Sequence, residues 1–450
     1  MSSASPILAA LLLSALPMLH AADTSTQVPQ NAAMSYLDNG VVKVGVDLNH
    51  GGAIVFLSRD GGDNLINNFD LGRQIQLSFY SGPVPFTAEG QTPSKHWEHL
   101  GWNPIQTGDD FRNPSKVLTH ENNGHTLHLT CRPMQWPLNN IPGDCTFETW
   151  LELDGPIVKA RARLNNERTD HTQYPGRIQE LPAVYANAAF SRVVSYIGSR
   201  PFSGEPISDA PKPQGKHPWT LWRGAECWAA LLNDKNEGLG LITPGQVYFT
   251  GGFAGKPGPN NTFGNSTGYL AGQCEEILDH NIRYDFSYEL LPGTLDEIRK
   301  RATALRPKEL PTWTFKGNRQ GWTYHNAIDL GWPIQEKLHI LLDQNDPQMI
   351  SPYTFWLAEE APFLVLEAAL HSKQKTATLF WQSNEQDAPG KDQTLNIPLT
   401  PDGEFHRYVI KLADHPNYKG PLTRLRFDPI DAAESDAWIQ VRSIRLSKEP

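Results

Sequence analysis

Between Gly72 and Gly82 the chain alternates strictly: Gln74, Gln76, Ser78 and Tyr80 fall on one face, Ile75, Leu77 and Phe79 on the other. A period of two predicts a β-strand with its apolar side in a core. The opposite side carries amides and hydroxyls instead of Lys and Glu, which suits it to hydrogen-bond an uncharged polar ligand. The competing expectation is an edge strand with a polar exterior. By parity Arg73 lies on the apolar side, which predicts a buried carboxylate as its partner, with Glu180 the candidate.

The same alternation recurs along the chain in short segments bounded by Gly, Asn, Asp and Pro: Val42–Val46, Ala53–Leu57, Leu127–Thr130, Thr146–Leu153, Val158–Leu164, Cys227–Leu232 and Asn281–Leu290. Each predicts a strand. One helix is expected over Leu295–Leu305, opened by Gly293-Thr294 and closed by Pro307. Such a run of strands predicts an all-β domain too large for a simple immunoglobulin sandwich. Residues 307–316 read as a linker. A second set of strands follows within 317–450, at Phe363–Leu370, Thr376–Trp381, Phe405–Leu412, Leu422–Asp428 and Ala437–Leu446, and predicts a jelly-roll β-sandwich.

Residues 1–22 read as a secretory signal, with an apolar run at Ile7–Leu16 and small residues at Ala21 and Ala22 before Asp23. The run is too short to span a bilayer, so a secreted or periplasmic protein with no membrane insertion is expected. A net charge of −10 argues against nucleic acid or an anionic membrane as partner and mildly against a polyanionic substrate, although a local basic patch would override the average. Thirteen Trp and thirteen Tyr serve equally as sugar-stacking rings or as sandwich core. Among the four cysteines, Cys131 and Cys145 are closest in sequence and are the expected disulfide pair. No Cys-x-x-Cys spacing, P-loop, dinucleotide-binding glycine motif or Gly-x-Ser-x-Gly elbow occurs, so neither a metal nor a cofactor is expected.

Residues His50-Gly51-Gly52-Ala53-Ile54-Val55-Phe56-Leu57, Asn64–Arg73, Glu226–Leu231 and Gly238–Leu241 resemble the galactose-mutarotase-like supersandwich of carbohydrate-active enzymes. The resemblance covers residues 36–306 and implies a large antiparallel supersandwich. The mutarotase His and Glu motifs are not seen in their usual setting, so no catalytic residue follows from it. Asp402–Tyr408 and Leu425–Pro429 are similar to the jelly-roll modules that accompany bacterial carbohydrate-active domains. Such a module is either a glycan-binding platform, with Trp381, Tyr408 and Trp438 as its rings, or a lid packed on the first domain.

Three carboxylates are candidate catalytic groups. Glu180 sits among Ile178, Leu181 and Val184 beside Pro182, a partly desolvated setting suited to general-acid work on a glycosidic oxygen. The competing reading pairs it with Arg177 or Arg192. Glu226 shares a strand face with Trp228, either as carboxylate and sugar platform or as a cap on a core Trp. Asp109 lies in the loop Gly101–Asp110, where paired Asp residues serve a site or a turn. In the same loop Trp102, Asn103 and Gln106 are candidate sugar ligands, with Gln74, Gln76, Tyr80, Tyr185, Trp228, Arg73 and His50. A glycoside hydrolase acting on a mostly neutral oligo- or polysaccharide is expected, with Glu180 as acid and Glu226 or Asp109 as its partner. Carboxyl groups about 5–5.5 Å apart give retention and about 6.5–9.5 Å apart inversion. The alternatives are a polysaccharide lyase on a uronate glycan, with Tyr80, Tyr185, His50 and Arg73 as its groups, and a non-catalytic glycan-binding protein.

Overall fold

A computed structural model of the chain describes residues 33–213 and 217–450. The signal read over residues 1–22 lies outside them. No helix of the described residues is long and apolar enough to cross a membrane. The alternating segments pair into four antiparallel sheets. Strands within residues 34–294 make sheets of ten and nine strands, and strands within 312–447 make two sheets of six. The protein is thus all-β, a large supersandwich followed by a smaller sandwich.

Alternation decides which face of each sheet turns inward. Val44, Leu77, Phe79, Val184, Phe249 and Leu270 of the ten-stranded side meet Leu129, Phe147, Leu164, Leu231, Leu241 and Leu290 of the nine-stranded side in one core. Each such side chain contributes about 1.5–3 kcal/mol by leaving water, so a slip of one residue in any central strand is heavily disfavoured.

Five neighbouring strands of the ten-stranded sheet position the site. They are β1 (Ile75–Ser78), β2 (Arg177–Asn187), β3 (Trp219–Arg223), β4 (Tyr248–Ala254) and β5 (Thr267–Glu276). Their order across the sheet is β1-β2-β5-β4-β3. The strand expected over Gly72–Gly82 is regular only in β1. Gln74 adopts a φ of 106°, outside the extended region, and ends the strand on its N-terminal side.

The outer face of the nine-stranded sheet is covered by α1 (Leu295–Ala304), whose Ile298 and Ala302 share a cluster with Trp228 and Leu232. Thr294 caps it: its hydroxyl accepts the Glu297 N–H while the Glu297 carboxylate accepts the Thr294 N–H. The cysteines are a correction. Cys131 and Cys145 are free thiols in the sandwich core, and burial pushes the Cys131 thiol up to about 12.

In the second sandwich Trp322, Leu338, Leu364, Trp381, Leu425 and Ile439 form the core, so Trp381 is no surface platform. This sandwich is fastened to the first by buried charge. Arg319 pairs with Asp279 of the first part and with Asp329, at 2.6 Å; Gln173 reaches Asp329 at 2.7 Å and the Tyr324 hydroxyl reaches it at 2.9 Å. Burial alone would raise the Asp329 carboxyl, but the Arg319 hydrogen bond and charge outweigh it and hold it below the ordinary range. Replacing Arg319 by Ala leaves two buried carboxylates without their cation and is expected to cost about 3–5 kcal/mol, read from the chemical denaturation midpoint. The wild-type contribution is complete above the ordinary carboxylate range and is lost as pH falls through the depressed Asp329 value, so the variant is expected to show a shallower acid transition.

Candidate active site

In β2, Glu180 stands opposite Gln273 of β5, whereas Ala183 stands opposite Ala271. Three steps on one strand therefore match two on the other, a bulge at Leu181-Pro182. The extra residue turns Leu181 into the core and leaves Glu180 on the same outer face as Ala183 and Tyr185. Register then puts Gln76 and Ser78 of β1, Tyr269, Gln273 and Glu275 of β5, Thr250 of β4 and Trp219 of β3 on that face.

Glu180 is only 5% exposed. The Tyr80 hydroxyl donates to it at 3.0 Å and the Tyr269 hydroxyl donates to its other oxygen. Tyr185 lies against Tyr269 with ring centroids 4.8 Å apart. Burial first and then the Glu180 charge push the Tyr185 and Tyr269 hydroxyls well above their ordinary range, so both stay protonated as donors.

Glu180 and Tyr80 also line a cavity of about 850 Å³ between the two sandwiches, large enough for an oligosaccharide segment. Thr250, Gln273 and Glu275 come from the sheet face, Arg177 and His99 from its rim, Tyr353 and Arg424 from the second sandwich. Glu275 is two residues past Gln273, hence diagonal to Glu180 on the shared face, with about 7–8 Å between the backbones of such a pair. Its carboxylate is held by Arg424 at 2.6 Å. Tyr353 stacks on Tyr248, and the Arg424 guanidinium lies 4.3 Å from its ring centre.

A third carboxyl, Glu276, lines the cavity from the strand's other side, as alternation requires. Burial raises it to about 7, against the opposing charge of Arg319 and a hydrogen bond from Tyr284.

The expected second carboxylates are placed elsewhere. Glu226 lies under α1 on the outer face of the nine-stranded sheet, bonded to Arg299 at 2.8 Å and to the Trp228 indole at 2.9 Å. The whole core separates it from Glu180, and facing sheets are about 10 Å apart, so the two cannot flank one bond. Trp228 is fully buried there. Asp109 organises a turn, accepting the Phe111, Asn113 and Asn140 N–H groups and the Asn113 amide.

The polar face of β1 is spent on the protein itself. The Gln76 amide donates to Leu71 and Arg73 carbonyls and accepts from Thr107, while Gln74 donates to the Asp70 carbonyl. Over them lie Trp97, Leu100, Ile105 and Trp136, clustered with Tyr80. The space left beside Gln76, Ser78, Asn103 and Glu180 is about 20 Å³, room for one water and not for a sugar ring. Asn103 bonds the Phe79 carbonyl, and Gln106 bonds Leu77 and Gly51. Trp102 is a core residue bonded to Asp144, and His50 pairs with Asp47 at 2.7 Å. Arg73 pairs with Asp70 and Asn265, not with Glu180. Of the expected residues, Glu180, Tyr80 and Tyr185 come together. Glu275, Tyr269 and Arg177 join them. The alternation of Tyr269, Ala271, Gln273 and Glu275 was the signal available for the first two.

No family model matches the chain, and no curated protein matches it in sequence. Among solved structures it is similar to a candidate aldose 1-epimerase from Escherichia coli K12, with TM-score 0.39, 11% identity, and 58% of this chain and 99% of that one covered. It is similar also to a galactose mutarotase-like protein from Lactobacillus casei ATCC 334 (0.36, 11%, 58% and 99%) and to a 4-alpha-glucanotransferase from Thermococcus litoralis (0.32, 11%, 59% and 38%). What the site can do is read from its own residues.

Two measurements check this geometry. Glu226→Gln is expected to lower stability by about 3 kcal/mol, since Arg299 loses its buried partner. Glu276 binds its proton more tightly folded than unfolded, so stability is expected to fall as pH rises from the ordinary carboxylate range to about 7, by about 3 kcal/mol in all. Glu276→Gln removes that slope.

Proposed function

We propose that the protein is a secreted carbohydrate-active enzyme that hydrolyses a glycosidic bond in the cavity between its two sandwiches. The observation that carries this reading is the pair Glu180 and Glu275, diagonal on one sheet face at the floor of that cavity.

The two groups sit in different surroundings. Glu180 is shielded among phenols, which can donate to or accept from it in either protonation state. It gives its proton to the leaving oxygen. Glu275 faces the Arg424 guanidinium at the wetter end of the cavity and takes the proton of the attacking water. Tyr248 and Tyr353, tilted by 31° with ring centroids 4.4 Å apart, line the same cavity.

Glu180→Gln keeps the size and hydrogen-bonding capacity of the side chain and is expected to lower turnover by about 10²–10⁴-fold. Glu275→Gln is expected to act similarly. The check is release of new reducing ends from a panel of plant and algal glycans. Products carrying the ultraviolet absorbance of an unsaturated uronate would replace hydrolysis by elimination, and binding without turnover would leave a glycan-binding protein.

A further inference from the structure

Half-buried Arg177, at the start of β2, differs from Arg319 and Arg424 of the cavity wall. Arg319 has Asp279 and Asp329, and Arg424 has Glu275. Arg177 bonds only backbone carbonyls among the described residues: Leu100 at 2.6 Å, His99 at 3.1 Å and Ser81 at 3.3 Å. Those bonds use three of the five N–H groups of a guanidinium, by two nitrogens, and leave Nε and one hydrogen of Nη2. No carboxylate is paired with it, yet burial disfavours its charge enough to lower it from the ordinary arginine value. A charge partly withdrawn from water without a counter-ion is disfavoured, and an anion would complete it.

Its place tells what that anion touches. Arg177 lines the same cavity as Glu180, and its guanidinium lies 6.0 Å from the ring centre of Tyr80, whose hydroxyl bonds Glu180. A group bound to Arg177 therefore sits one aromatic ring away from the acid. Arg283, on the cavity rim, is a second cation without a carboxylate partner among the described residues.

We infer that Arg177 is the receptor for a carboxylate on the substrate, so that the glycan accepted beside Glu180 carries a uronic acid. This rests on the proposed function and narrows it: the local cation overrides the protein's overall negative charge. A planar carboxylate matches the remaining donor edge of a guanidinium better than a hydroxyl does.

Binding is measured by calorimetry with galacturonate and glucuronate oligosaccharides, with their carboxyl-reduced neutral counterparts, and with a sulfated oligosaccharide. The wild-type protein is expected to bind one of the uronates about tenfold or more tightly than its reduced form, with a preference that weakens in high salt. Arg177→Gln is expected to abolish the preference, lowering the affinity for the uronate more than that for its neutral counterpart. Arg177→Lys, which keeps the charge without the fork, serves if the Gln variant does not fold, and is expected to retain part of the preference. Equal affinity for acidic and reduced glycans in the wild type overturns the inference and leaves the proposed function standing. Tighter binding of the sulfated glycan than of both uronates overturns the carboxylate assignment. If no glycan of any class is bound or cleaved, the proposed function falls and this inference with it.

Discussion

A β-strand shows its side chains to alternate faces, so one extra residue reverses everything beyond it. The bulge at Leu181-Pro182 is that residue in β2. Without it, a strand with Val184 and Ala186 in the core would turn Glu180 inward, among leucines and phenylalanines, where a carboxylate has no partner. With it, Leu181 fills the core and Glu180 faces Tyr80 and Tyr269 outside. The outer face of the sheet thus acquires a carboxylate at no cost to the packing within.

That face is completed by charges arranged on different terms at different depths. At the fastening between the sandwiches, Arg319 is balanced by two aspartates and holds structure together. Nearer the cavity, one pair spans the two halves, Arg424 with Glu275. Arg177 is held by carbonyl dipoles alone. The cavity wall thus holds both arginines that are paired with carboxylates and one, Arg177, that is not.

Much of the fold was legible in the sequence because alternation is a local signal. Val158–Leu164 and Ala437–Leu446 declare their strands without reference to any neighbour, and Thr294 with Glu297 declares the helix start. The site was legible only in part. Glu180 stood out as a carboxylate in an apolar run beside a proline, and both features belong to the bulge. Its partners did not, because pairing register is a non-local property: nothing near Glu275 in the chain says that Glu180 will lie diagonal to it. Glu226 and Asp109 misled for the opposite reason. Their local settings are real, an indole and a polar turn, but a carboxylate capping a core Trp or closing a turn has the same neighbours in sequence as one that serves a ligand. The amide row of β1 suits a polar ligand by composition, but the fold covers it. Its hydrogen bonds go to Leu71, Arg73 and Thr107, which fold back over it from beyond the strand.

The cavity has two owners. Its floor and Glu180 come from the first sandwich, while Tyr353 and the guanidinium facing Glu275 come from the second. The cleft is a property of a joint, and neither half holds it alone. Any change in how the halves sit would alter the width of the cleft and the surroundings of Glu275 at the same moment, so shape and reactivity are geared together. A chain cut within residues 307–316 would lose more than an accessory module: it would remove one wall of the cleft.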